Sequence, residues 1–269
     1  MFTGLSQETF RAQEFLDRPL DISFLLDELE RINAADFAGQ LDVNRVAAVG
    51  HSFGGYTAIA LAGATIDFDR LARRCDLKAN LLLDAAALLE CRALELLDDP
   101  VAIQRLGQQG ARDERVKLVM AFATVSNLFG PQGMAQVDVP TMIFGGAFDV
   151  VAPVVPQQVS AFSWLTTERY FYLAENTSHG ADITRLTSRV FNIDTDFDQG
   201  VDEGLVITRG VNTALIVAFS EVYLLDHQEF EPFLRPAFVE AASVEPFRLH
   251  LVRELPPEAE AVLTDYKDG

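Results

Sequence analysis

Ala47-Ala48-Val49-Gly50-His51-Ser52-Phe53-Gly54-Gly55-Tyr56-Thr57-Ala58-Ile59-Ala60 is the stretch on which the reading of this chain turns. The apolar run Val46 to Val49 reads as a buried strand, Gly50 and Gly54 bracket a serine, and Ala58 to Ala62 continue as small helix formers. Gly-x-Ser-x-Gly between a strand and a helix has a mechanical meaning. A turn this tight forces Ser52 into a strained backbone conformation that only small flanking residues can pack around. It leaves the hydroxyl exposed and aims the Phe53 N–H at a developing oxyanion. Ser52 is therefore the candidate nucleophile and Phe53 the candidate oxyanion donor.

Outward from this stretch, composition bounds the rest. With 269 residues and 49% hydrophobic content, the chain can bury a substantial core, and one α/β domain over residues 1–269 is the simplest organisation. No apolar run is long enough to span a bilayer. The formal charge of −19, with lysine only at 78, 117 and 267, leaves no basic stripe to neutralise phosphates and argues against nucleic acid as a partner. Cys75 and Cys91 are the only cysteines, too few for a metal cluster. If the interval between them were one helix, a rise of about 1.5 Å per residue would separate them by about 24 Å, so two buried free thiols are expected unless that helix breaks. The redox compartment stays open on this reading. Residues 1–10 lack a basic segment followed by an apolar one, so no signal peptide is expected there.

Along the chain, Leu20 to Ile32 places Ile22, Leu25, Leu26, Leu29 and Ile32 at helical spacing, with Pro19 suited to a first turn. Residues 33–44 read as a loop into the strand 45–49, and the helix after Ser52 ends around Gly63. Residues 64–114 are rich in leucine and alanine at helical spacing with no strand signal, a helical insertion that could cover the site. Val116 to Thr124, Thr141 to Phe144 and Tyr170 to Leu173 read as buried strands, with a helix from Pro156 to Trp164 between the last two and Trp164 in the core. Strands alternating with helices predict a doubly wound, mostly parallel sheet. Gly210 to His227 closes the pattern as a long helix, with His227 on the surface near its end. A tail over 229–269 follows, in which Leu249-His250-Leu251 looks like an edge strand.

A serine hydroxyl needs a histidine to take its proton and a carboxylate to orient that histidine. In a doubly wound sheet these belong in loops after later strands. Asp149 follows Thr141–Phe144 through Gly145-Gly146-Ala147-Phe148, and His179 follows Tyr170–Leu173 with Gly180 behind it. His51 lies inside the turn and cannot reach round to its neighbour, while His227 and His250 fall outside any strand-end loop. Asp84, in the helical region, is the second choice for the acid. Asp194 to Glu203 alternates carboxylates as a calcium loop does, but position six is Gln199 and position twelve Leu205, so a solvated acidic loop is expected.

Gly50-His51-Ser52-Phe53-Gly54-Gly55, Gly146-Ala147-Phe148-Asp149-Val150-Val151-Ala152-Pro153, Trp164-Leu165-Thr166-Thr167, Ser178-His179-Gly180 and Arg18-Pro19-Leu20-Asp21-Ile22 together resemble the α/β-hydrolase superfamily. More narrowly they resemble the bacterial predicted dienelactone hydrolases related to platelet-activating-factor acetylhydrolase. The order Ser, Asp, His along the chain is that superfamily's order. The likeness runs from about Arg18 to about Pro246. It implies hydrolysis of small carboxylic esters through an acyl-enzyme, without a cofactor. Dienelactone hydrolases proper use cysteine where this chain has Ser52. In the resembled fold the nucleophile strand is the fifth of eight, and here it is the first. The expectation is thus an N-terminally truncated hydrolase fold that lacks the loop giving a second oxyanion N–H. Its first strand would have an unpaired apolar edge, which predicts self-association. A fold remnant that binds a small molecule or partner without turnover is the alternative.

Overall fold

A computed structural model of the chain describes residues 10–76, 85–180, 196–260 and 263. The chain enters through α1 (Glu14–Asp36), then β1 (Val46–His51) and α2 (Phe53–Leu61). α3 (Phe68–Asp76), α4 (Ala85–Cys91), a 3-10 turn at Arg92–Leu96 and α5 (Pro100–Ala102), which runs on as π-helical turns over Ile103–Gln109, lead to β2 (Val116–Phe122). α6 (Gly130–Met134) precedes β3 (Thr141–Gly146); π-helical turns at Val155–Val159 and α7 (Ser160–Trp164) precede β4 (Arg169–Ala174). α8 (Asp196–Leu225), α9 (Pro236–Ala241) and β5 (Leu249–Val252) complete the order. The expected strands are all present, and no strand lies among the described residues of 64–114.

The protein is an α/β structure with a mostly parallel five-stranded sheet. β1 to β4 pair in sequence order, all parallel, and β5 adds antiparallel to β4. In β2, β3 and β4 side chains alternate between two buried faces, which is why these strands read as continuous apolar runs; β1, expected to be buried, lies at the sheet edge with its residues only half-buried or exposed. Val119, Ala121, Ile143 and Phe171 face a layer built from α2, α6 and α7 with Ile59, Met134 and Phe162. Leu118, Met120, Met142, Phe144, Tyr170 and Tyr172 face α8 and α9 through Leu215, Phe219 and Val239. Trp164 is in the core, as its apolar surroundings suggest.

Three further expectations change. α1 is longer than the 20–32 spacing predicts, and it buries the expected stripe only in part: Leu26 is buried and Leu29 and Ile32 half-buried, but Ile22 and Leu25 are exposed, while Phe15, Leu16 and Pro19 ahead of the stripe are buried. The helix packs by its first turns on an aromatic group of Phe15, Phe53 and Tyr56, and its later turns flank an open groove beside β1. Pro19 therefore sits inside the helix, where it removes the N–H that Phe15 O would accept. The hydroxyl of the fully buried Tyr56 donates to that oxygen instead, at 2.8 Å. Second, residues 196–203 of the acidic run open α8 and are not a loop; Asp194 and Thr195 lie outside the described residues.

The third change concerns Cys75 and Cys91, which are joined in a disulfide with Cα atoms 5.8 Å apart. The interval is not one continuous helix, which would hold these Cα atoms about 24 Å apart; the disulfide joins α3 (Phe68–Asp76) to α4 (Ala85–Cys91). Closing a loop of this length removes unfolded-state entropy worth about 3 kcal/mol. Reduction, or Cys91→Ser, is expected to lower the unfolding free energy by about that amount, read as a lower denaturant midpoint with an equal or steeper slope, because the freed unfolded chain is less compact; an unchanged midpoint would count against the bond's contribution.

Candidate active site

The parallel register brings the carboxyl ends of β1, β3 and β4 to one rim, and each is followed by one of the residues singled out from the sequence. Ser52 comes directly after β1 with φ 56° and ψ −119°, a conformation L-residues rarely adopt. Its N–H donates to Phe122 O at 2.8 Å, tying the turn to β2. Its carbonyl accepts from Gly55 N at 2.9 Å and Tyr56 N at 3.3 Å as α2 begins. The turn folds so sharply that a Cβ on Gly50 would lie 2.0 Å from Gly54 O, and one on Gly55 would lie 2.7 Å from the Thr124 side chain. Gly54, by contrast, has open space where a Cβ would go. The glycines the geometry requires are thus Gly50 and Gly55.

Asp149 and His179 are placed by two loops zipped together. Phe148 N donates to Thr177 O at 2.9 Å and Ala147 N to Ala174 O at 3.0 Å. Their approach depends on Gly146, where a Cβ would meet Thr177 O at 2.7 Å. Asp149 Oδ1 accepts from Val151 N at 2.9 Å and Ala152 N at 2.8 Å, so the carboxylate caps its own loop. Its other oxygen, Oδ2, lies 2.7 Å from His179 Nδ1. His179 Nε2 in turn lies 2.8 Å from Ser52 Oγ. Both the Asp149 and His179 side chains are almost wholly buried. With Nδ1 facing a carboxylate, it carries the ring proton, and Nε2 presents its lone pair to the hydroxyl. All three residues converge, and the hydroxyl sits within proton-transfer distance of a base that a carboxylate orients.

Phe53 begins α2, so its N–H has no acceptor within the helix and lies at the positive end of the dipole beside Ser52. Its ring is buried among Phe15 and Tyr56, with the Arg18 guanidinium 4.7 Å from its centre. His51, set aside in the sequence, reaches the main chain of His179 with Nε2 at 2.7 Å from the carbonyl oxygen. Although the residue retains an exposed surface, partial desolvation of the ring, and then the neighbouring His179 imidazole, push its pKa below the ordinary histidine value. His227 is exposed beside Glu221, and His250 pairs with Glu175 on β5, both away from the serine. Asp84 lies outside the described residues.

Beneath the rim is a buried polar group that sequence reasoning missed. Glu90 accepts from Arg74, from Leu128 N at 3.0 Å and from Gln157 Nε2 at 3.2 Å; Gln157 Oε1 accepts from Ser126 N and Asn127 N. Gln158 Nε2 bonds Thr124 O and Ala152 O, linking the loop after β2 to the Asp149 loop. The one signal available was polar residues, Glu90 and Gln157, inside apolar runs. Among the described residues no cluster of His, Cys, Asp or Glu is arranged to hold a metal ion, and no helix is long and apolar enough to cross a membrane.

In comparisons with known proteins, no family model and no curated protein matches this chain. The class established by the structure is an α/β protein with a mostly parallel sheet and a Ser–His–Asp array at the carboxyl rim of its strands.

The glycine geometry makes a sharp distinction. Gly50→Ala is expected to lower thermal stability by several kcal/mol, about the size of severe core overpacking. Gly54→Ala should leave stability unchanged or raise it by up to about 1 kcal/mol through helix propensity. Equal melting temperatures for the two variants would contradict the turn described.

Proposed function

We propose that this protein is a serine hydrolase of the α/β-hydrolase superfamily, similar to the dienelactone-hydrolase-like and platelet-activating-factor-acetylhydrolase-like esterases, and that it cleaves small carboxylic esters. The observation that carries this reading is the unbroken hydrogen-bonded series from Asp149 through His179 to Ser52, at 2.7 and 2.8 Å. In the proposed reaction Ser52 Oγ attacks the ester carbonyl while His179 Nε2 takes its proton, and Asp149 stabilises the imidazolium. The tetrahedral oxyanion is held by the Phe53 N–H at the start of α2. Collapse breaks the bond to the alkoxy group, which leaves with the proton from His179 Nε2. Water then gives a proton to His179 and attacks the acyl-serine, and the acid departs as Ser52 regains its proton. No cofactor enters these steps.

A fluorophosphonate probe tests the assignment directly. The expected outcome is stoichiometric labelling of Ser52 that Ser52→Ala abolishes, and Asp149→Asn is expected to slow turnover of a short p-nitrophenyl ester by roughly 10⁴-fold. Labelling that survives in Ser52→Ala would overturn it. The second reading, binding without turnover, draws on the open edge of β1; intact p-nitrophenyl esters after prolonged incubation would favour it.

We also propose that β1 pairs with β1 of a second copy. Val46 N donates to Arg115 O and Ser52 N to Phe122 O, so strand alternation turns the N–H and C=O of Ala47, Val49 and His51 to the edge that no strand pairs among the described residues. Beside it lies a groove of about 400 Å³ lined by Ile22, Val46, Ala48, Val49 and Leu61, and Val49 is 50% exposed. The segment Val46-Ala47-Ala48-Val49 is itself small, apolar and extended. A two-fold pairing of this strand with its own copy is therefore self-complementary. Sedimentation should show concentration-dependent dimers that Val49→Lys converts to monomers; a wild-type monomer at all concentrations would refute the pairing.

A further inference from the structure

His51 immediately precedes the nucleophile yet has no place in the proton path from Ser52 to Asp149. Its Nε2 lies 2.7 Å from the main-chain oxygen of His179, and the two imidazole rings stand 4.8 Å apart between centres, inclined at 55°. A carbonyl oxygen can only accept, so Nε2 carries a hydrogen and the neutral ring keeps its lone pair on Nδ1.

The His179 ring has both nitrogens engaged, so its aim depends on where its own peptide is held. Earlier residues of its loop are tied elsewhere: Glu175 N donates to Arg248 O, Asn176 Nδ2 to Pro246 O, and Thr177 O accepts from Phe148 N. At His179 the main chain is reached by His51. Ser52 and His51 are neighbours at the end of one strand, so this bond fixes the base to the same backbone that carries the hydroxyl.

We propose that His51 is a positioning residue, whose uncharged Nε2–H clamps the His179 peptide to the end of β1 and so holds the imidazole at hydrogen-bonding distance from Ser52. The role also suits the charge that develops. When His179 takes the serine proton it becomes a cation, and a neutral ring beside it presents a π face with no like charge to repel it. Partial desolvation and the His179 ring both favour the neutral form of His51. The inference rests on the hydrolase reading for its kinetic consequence, but the clamp itself is a structural statement that can be tested separately.

Two substitutions separate ring from donor. His51→Phe keeps an aromatic ring and removes the N–H, whereas His51→Gln keeps an N–H donor near the position of Nε2. On a short p-nitrophenyl ester, His51→Phe is expected to lose roughly ten- to hundredfold in kcat, as a displaced catalytic group does, with KM changed less than about twofold. His51→Gln should recover most of the loss. In parallel, the low-field proton resonance of the Nδ1–H shared with Asp149 should be sharp in the wild type, broadened by exchange in His51→Phe and restored in His51→Gln. If the Phe side chain prevents folding, His51→Ala carries the same comparison. Wild-type kcat and an unchanged resonance in His51→Phe, or a His51→Gln variant as impaired as His51→Phe, would overturn the proposal. A wild-type protein that turns over no ester and leaves Ser52 unlabelled would sink the hydrolase reading instead, and the resonance comparison would still decide the clamp.

Discussion

The turn from β1 into α2 is the constraint on which the rest of the site depends. Holding Ser52 at a positive φ costs about 1 to 3 kcal/mol and persists only where surroundings over-determine it. Here the surroundings are explicit: the N–H is bonded to β2, the carbonyl receives two donors from α2, and the Gly50 and Gly54 backbones meet where no side chain fits. A further donor, Val125 N, approaches the Ser52 carbonyl at 3.4 Å from the loop after β2. The strain serves to present Oγ away from its own helix. Ser52 occupies the N-cap of α2, yet its side chain caps nothing and points to His179.

The helical region between α2 and β2 is tied to the rim by buried polar contacts as well as by its apolar residues in the core. A wholly buried carboxylate such as Glu90 is tolerable only when paired and fully bonded. Arg74, Leu128 N and Gln157 meet that demand, and the disulfide joins the residues next to Arg74 and Glu90 in the chain. From Gln157 the contacts continue to Ser126 and Asn127, and from Gln158 to Thr124 and Ala152. α4 also touches the acid loop directly, through Ala86 N to Val151 O at 2.8 Å. Removing one member of such a group would leave a buried charge or amide unpaired, which costs more than the bond itself contributes.

Much of this was legible beforehand, for identifiable reasons. Strands buried on both faces must be continuous apolar runs, so β2 to β4 stood out, while β1 was legible from the Gly-x-Ser-x-Gly turn that follows it, a turn that has few other uses between strand and helix. Asp149 and His179 were found because a parallel sheet puts its strand-end loops on one rim. What went unread was long-range. The stripe on α1 has correct helical spacing, yet Ile22 and Leu25 are left exposed while Leu26 is buried, since periodicity tells which side chains share a face and not what covers that face. Pro19 inside α1 depends on a hydroxyl from Tyr56, far along the chain. The disulfide was missed because it depends on how α3 and α4 fold back on one another.

The amino-acid sequence by itself determined the alternation of strands and helices, the sharp turn at Ser52 and the identity of the three residues of the array, because each of these follows from local sterics, periodicity or a fixed topological rule. Only the tertiary structure decided that Asp149, His179 and Ser52 meet at 2.7 and 2.8 Å, that Cys75 bonds Cys91, that Glu90 has partners and that His51 reaches across to the base. Those are contacts between segments distant in the chain, and their distances are set by how whole elements pack, a quantity that no local pattern of residues encodes.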